Sequence, residues 1–128
     1  MKKGIYVFYK RIFLLGIPMP IFHTFLGACD GSRDLFLGFY SKRHKSFVYN
    51  LISLFEMVSG EVHKEKPSDK KMLLSRDLDK IKKVMGLLPR YRWKKYNALT
   101  KNCFHWRNAI LKEAGVRVPR DSYWRPSR

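Results

Sequence analysis

Acidic residues are scarce in this chain. Ten Asp and Glu stand against 27 Lys and Arg, a formal net charge of +17 at pH 7. A surface this positive repels itself when compact and attracts polyanions. It suits an anionic polymer such as peptidoglycan, an acidic membrane surface, an acidic partner protein or nucleic acid, and the sign alone does not choose among them. Cysteine is scarce too. Cys29 and Cys103 are the only two, too few for a disulfide-rich scaffold, although two can still pair. No CxxC or Cys/His zinc spacing occurs, so no metal and no cofactor are expected. No run of about 18 uncharged apolar residues is present, and no transmembrane segment is expected. The N-terminal apolar stretch is broken by Lys10, Arg11, Pro18 and Pro20 and lacks a small-residue cleavage site. It reads as part of the fold, with no clear signal peptide, in a protein either cytoplasmic or exported by a leaderless route. Internal repeats and low-complexity segments are missing as well.

What is present is enough for one core. The chain has 128 residues, 45% apolar and 15% aromatic, which excludes a disordered chain. Residues 4–9, GIYVFY, read as a strand, and the Gly16–Pro20 segment as a loop or extended edge. Residues 21–29, IFHTFLGAC, give a second strand with His23, Phe25, Gly27 and Cys29 on one face. An Asp30-Gly31 turn and the run 35–40, LFLGFY, complete a hairpin. Asn50 is placed as the cap of a short helix over 51–58, and residues 61–73 as an exposed charged strand or loop. A helix over roughly 75–88 carries Leu78, Ile81, Met85 and Leu88 on one side and stops at Pro89. The last helix begins at Asn102 or Cys103 and ends before Gly115. These elements predict an α+β fold with a small, mostly antiparallel sheet against helices. The domain spans 1–119, with a basic C-terminal tail over 120–128.

The chemistry concentrates at Cys103. Asn102 is a good N-cap, which puts Cys103 at the first helical position. A helix N-terminus stabilises a thiolate and offers amides to a developing oxyanion, so Asn102 marks both the helix cap and the oxyanion region. The same spacing also suits a buried cysteine opening a core helix. His23 is the candidate base: it interrupts an apolar strand, where an unpaired imidazole would be costly. Together they form a nucleophile and base. Asp34 and Ser41 flank the following strand and are candidates for the third, orienting residue. His44 and His63 sit among charges and read as surface residues. His105, two residues past Cys103, does not face it on a helix.

Two segments also carry a resemblance. Residues 96–119, YNALTKNCFHWRNAILKEAGVRVP, and 22–40, FHTFLGACDGSRDLFLGFY, resemble the cysteine and histidine segments of the NlpC/P60-like papain-fold superfamily in its circularly permuted branch, where the histidine precedes the cysteine. Phe104 and His105 depart from the small polar residue usual after Asn-Cys, and Ser41 replaces a frequent proline. The resemblance implies a permuted papain-like fold, with Cys103 as nucleophile and His23 as base. It implies a thiol peptidase or amidase acting on cell-wall peptide, as in bacterial effectors, or an acyltransferase or isopeptidase of the same superfamily. The alternative is a non-enzymatic nucleic-acid-binding or structural domain. Aromatics interleaved with basic residues in RYRWKKY, 90–96, would serve nucleic acid.

Overall fold

Alternating apolar residues from Gly4 onward build strand β1, Gly4–Leu14, which runs past Lys10 and Arg11 into the segment expected to loop. It turns at Leu15 and Gly16, both in the left-handed region with φ of 53° and 80°, into β2, Ile17–Cys29. This is the two-residue hairpin geometry that matches strand twist. Pro18 and Pro20 therefore lie within a strand and not in a loop. They are tolerated because this part of β2 pairs with β1, while β3, Asp34–Ser41, joins β2 over Leu26–Cys29. One side of the proline segment thus needs no ladder donors. The computed structural model describes residues 1–43 and 46–121; the side chains of Leu14, Pro20, Ile21 and Phe47 are outside that description. The expectation for His44 and for the tail beyond Asp121 falls outside the described residues.

The Asp30-Gly31 turn forms as expected: the Asp30 carboxylate accepts from the amides of Ser32 and Arg33 at 2.9 and 2.7 Å. The helix placed at 51–58 is instead α1, Phe47–Ile52, capped by Ser46 rather than Asn50. Val58 already opens strand β4, Val58–Lys64. The charged stretch after it contributes β5, Lys70–Ser75. Helix α2, Leu78–Leu87, is capped by Asp77 and followed by a 3₁₀ turn at Leu88–Arg90. A two-residue strand β6, Lys95–Tyr96, precedes α3, Cys103–Glu113. Gly115, at φ 74°, closes α3, and the amide of Val116 bonds the Leu111 carbonyl at 2.8 Å. That is the glycine stop read from the sequence.

The strands form one antiparallel sheet in the order β5-β1-β2-β3-β4-β6. Ile5, Val7, Tyr9, Leu26, Ala28, Leu37 and Phe39 turn one face toward α2 and α3, which contribute Ile81, Val84, Met85, Trp106, Ile110 and Leu111. Burying each such aliphatic or aromatic side chain is worth about 1.5–3 kcal/mol, so this layer holds the helices on the sheet. The opposite face carries a smaller aromatic cluster of Tyr6, Phe8, Phe25 and Cys29 with Phe36. The domain is thus α+β, with a mostly antiparallel sheet packed against helices.

Candidate functional site

Helix α3 begins where the sequence places it. The Asn102 carboxamide oxygen accepts from the amides of Phe104 and His105 at 2.9 and 3.2 Å, and its amide nitrogen donates to the Ala98 carbonyl at 2.9 Å. Cys103 is therefore fixed at the first helical position from both the helix and the preceding loop. The same cap limits the oxyanion role expected here. Two of the first-turn amides are taken by Asn102 itself, and the Cys103 amide is the one its side chain leaves. His105 completes the cap: its Nδ1 accepts from the Asn102 amide at 3.2 Å, and burial lowers its pKa. Its role is structural, in keeping with its position two residues from Cys103.

His23 stacks on Phe25 at 5.9 Å and on Tyr40 at 4.1 Å between ring centroids. Its Nε2 lies 2.7 Å from the Glu65 carboxylate, which also accepts from the Tyr40 hydroxyl at 2.6 Å. Glu65 follows β4, and its amide bonds the Phe36 carbonyl at 2.9 Å. Its side chain reaches back across β3 at Gly38. A Cβ on Gly38 would collide with the Glu65 carboxylate and come to 3.0 Å from His23 Nε2. The missing side chain is what lets the carboxylate meet the imidazole.

Burial opposes a charge on His23. The charge of Cys103 and a hydrogen bond with it outweigh that, followed by the bond and charge of Glu65, and the imidazole is pushed up from 6.5 to about 9. Burial likewise disfavours ionised Glu65, but the bond and charge of His23, the Tyr40 hydroxyl and the charge of Lys10 hold it below its ordinary value. Tyr40 is pushed up by burial, then by Glu65 and by the charge of Cys103. The folded state therefore favours an imidazolium beside a carboxylate. The signs set the pH window. His23, raised in the fold, contributes stability that is complete below 6.5 and lost as pH rises through about 9. Glu65, lowered in the fold, contributes stability present above 4.5 and lost as pH falls below it.

Gly38 offers a direct test of this arrangement. Gly38→Ala is expected to push the Glu65 carboxylate off His23 and return the imidazole toward its ordinary pKa. An NMR titration of the ring reads this: a midpoint near 9 for the native chain, lower in the variant. An unchanged midpoint in a folded variant would show that Glu65 does not hold the charge.

The side chain on His23 is thus Glu65, not either of the two candidates for an orienting residue. Asp34 lies opposite Cys29 at the far end of the β2–β3 ladder. Ser41 is buried and donates to Asn50 Oδ1 at 3.0 Å. Cys29 and Cys103 are both free thiols. Burial and then the hydrogen bond and charge of Asp34 push the Cys29 thiol up to about 12, which makes it a poor nucleophile. His63 pairs with Glu61 at 2.9 Å on a half-exposed strand. Among the described residues no group of His, Cys, Asp and Glu is arranged to hold a metal ion, and no helix is long and apolar enough to cross a membrane.

Two features were not anticipated. Glu65 sat within a charged stretch that reads as exposed; the available signal was Gly38, a lone glycine inside an apolar strand, which marks close approach by other groups. The other is Arg107, wholly buried. Its guanidinium donates to both Asp121 carboxylate oxygens, at 2.7 and 2.6 Å, and to Thr24 Oγ1 at 2.9 Å. Asp121, assigned to the tail, is therefore anchored in the core. Arg107 lies four residues from Cys103, on the same helical stripe, so its bond to Thr24 ties the helix carrying the thiol to the strand carrying His23. The sequence matches no family model and no curated protein, and the fold matches no solved structure.

Proposed function

We propose that the chain is a thiol-dependent hydrolase, a peptidase or amidase cleaving amide bonds of cell-wall peptide, with the permuted papain-like fold of the NlpC/P60-like superfamily. The observation that supports this reading is the buried His23 imidazole, held 2.7 Å from the Glu65 carboxylate and raised in pKa, with Cys103 among the causes. The Cys103 sulfur attacks the amide carbonyl carbon, and the carbonyl oxygen takes the negative charge beside the Cys103 amide. As the C–N bond breaks, the His23 imidazolium passes its proton to the leaving amine. Neutral His23 then takes a proton from water, which attacks the thioester and releases the acid and the thiol. Glu65 orients the ring and balances its charge throughout. An acyltransferase or isopeptidase would share every step but differ in the acceptor or the amide presented.

The nucleic-acid alternative has less support. Tyr91, Trp93 and Tyr96 of the basic stretch pack against the core, and Lys101 lies over the Trp93 ring at 4.8 Å. Rings engaged in this way are poorly placed to stack on bases.

Alkylation tests the proposal. Cys103 is 2% exposed, so the proposal requires the site to open before reagent or substrate can reach the thiol. A substoichiometric iodoacetamide probe near neutral pH is expected to label Cys103 faster than Cys29, and His23→Ala to slow that labelling. Muropeptides in the mixture are expected to protect the thiol, while a lipid or an isopeptide conjugate protecting instead would move the substrate to that class. Equal labelling of the two cysteines, indifferent to His23, would remove the case for a thiol enzyme.

A further inference from the structure

Two exposed apolar prongs stand at one end of the sheet, and we propose that this end docks on an anionic lipid bilayer. The topology sets them toward the same end, the hairpin tip reaching past the end of β3. Because β2 and β3 are antiparallel, the β1–β2 turn and the end of β3 at Ser41 lie toward the same end, and β4 starts there with Gly60 opposite Ser41. The first prong is the hairpin tip, where Phe13, Leu15 and Ile17 are exposed, Leu15 to 86%. The second is α1 and the turn after it, where Val48 and Phe55 are exposed, Phe55 to 83%. Leu99 joins this second prong, because its loop is tied to the same turn: the Ala98 amide bonds the Ser53 carbonyl at 3.0 Å, and Asn97 Nδ2 bonds the Glu56 carbonyl at 3.2 Å.

Leu15 supplies a second argument. It holds a left-handed conformation, φ 53°, at a turn position where glycine or asparagine is usual. A large apolar side chain kept there and given to solvent gains nothing within the fold. It gains when the tip enters an apolar medium, and a two-residue turn is narrow enough to reach the ~5–10 Å boundary between headgroups and acyl chains. Charge selects the occupant. Lys10 and Arg11 are exposed behind the first prong, and Lys42 and Arg43 beside the second, within a chain of net charge +17. Two copies of such a face repel each other, whereas an anionic leaflet attracts it. The loop that carries Leu99 leads directly into Asn102 and Cys103, so docking brings the thiol close to the membrane surface. This inference does not depend on the chemistry proposed above.

Vesicle flotation of the full chain tests it, with phosphatidylcholine alone or mixed with about one-third phosphatidylglycerol. The native chain is expected to float with the mixed vesicles and not with the neutral ones. Leu15→Gly keeps the charge and suits the left-handed turn, so its fold should survive, as circular dichroism would verify. It is expected to weaken binding about tenfold, and Phe55→Asp to weaken it further. Three outcomes overturn the proposal: no flotation of the native chain, binding unchanged in both variants and abolished by salt alone, or a native dimer that Phe55→Asp converts to monomer. The first denies a lipid site, the second reduces it to charge, and the third makes a second copy the occupant. Loss of lipid binding with thiol reactivity intact, or the reverse, separates this proposal from the enzymatic one.

Discussion

On the proposed mechanism, Cys103→Ala is expected to remove amide hydrolysis, lowering turnover by roughly 10⁴-fold or more, because no other group replaces the covalent step. His23→Ala should cost about as much, and the double variant little more, since residues that act as a unit are not additive. Cys29→Ser should leave turnover largely in place, as its thiol is buried among Tyr6, Phe8, Phe25 and Phe36 and pushed up to about 12. The pH dependence follows from His23. Acylation needs the imidazolium to protonate the leaving amine, so the rate is expected to fall as pH rises through about 9, where that proton is lost. Initial rates on a peptide amide, measured against pH for each variant, check all of this. Hydrolysis that survives Cys103→Ala, or is lost in a folded Cys29→Ser variant, would place the chemistry elsewhere.

Asp121→Ala should be the most destabilising single change away from the site. It leaves the Arg107 guanidinium, wholly buried, without its two carboxylate contacts at 2.7 and 2.6 Å. It also takes away the acceptor of the Tyr9 hydroxyl, bonded at 2.6 Å. Removing one partner of a buried pair costs about 3–5 kcal/mol, a large share of the roughly 5–15 kcal/mol that holds a domain together. Urea unfolding should show a lower midpoint with an unchanged slope. Replacing Arg107 and Asp121 together by Met and Leu is expected to recover much of the loss, since it removes both charges at once. A loss under 1 kcal/mol for Asp121→Ala would mean that Arg107 finds water or another acceptor when the pair is broken.

Much of this architecture was written locally in the residues. The strand period of GIYVFY and IFHTFLGAC, the Asp30-Gly31 turn, the Pro89 stop, the Asn102 cap and the Gly115 end each depend on a few neighbouring residues, and each formed where it was read. Local chemistry also singled out Cys103 and His23, because a cysteine after a strong cap and a histidine in an apolar strand stand out wherever the chain later folds. Boundaries set by competition between neighbours were decided beyond the local residues. Ser46 took the α1 cap expected of Asn50, and Pro18 and Pro20 entered a strand because that segment needed only one partner.

What tertiary structure alone decided was the charge environment. Glu65 stands 42 residues from His23, and Asp121 stands 14 from Arg107; no helical or strand period connects either pair. Glu65 looked like one more solvated carboxylate until β4 carried it beside β3 and Gly38 left it a path to the imidazole. Asp121 looked like part of a basic tail until the chain folded back over α3. The sequence by itself determined which groups are candidates for chemistry, since candidacy depends on residue type and local backbone. Which charges those groups face is a matter of long-range packing in a low-dielectric interior, and only the folded chain specifies it.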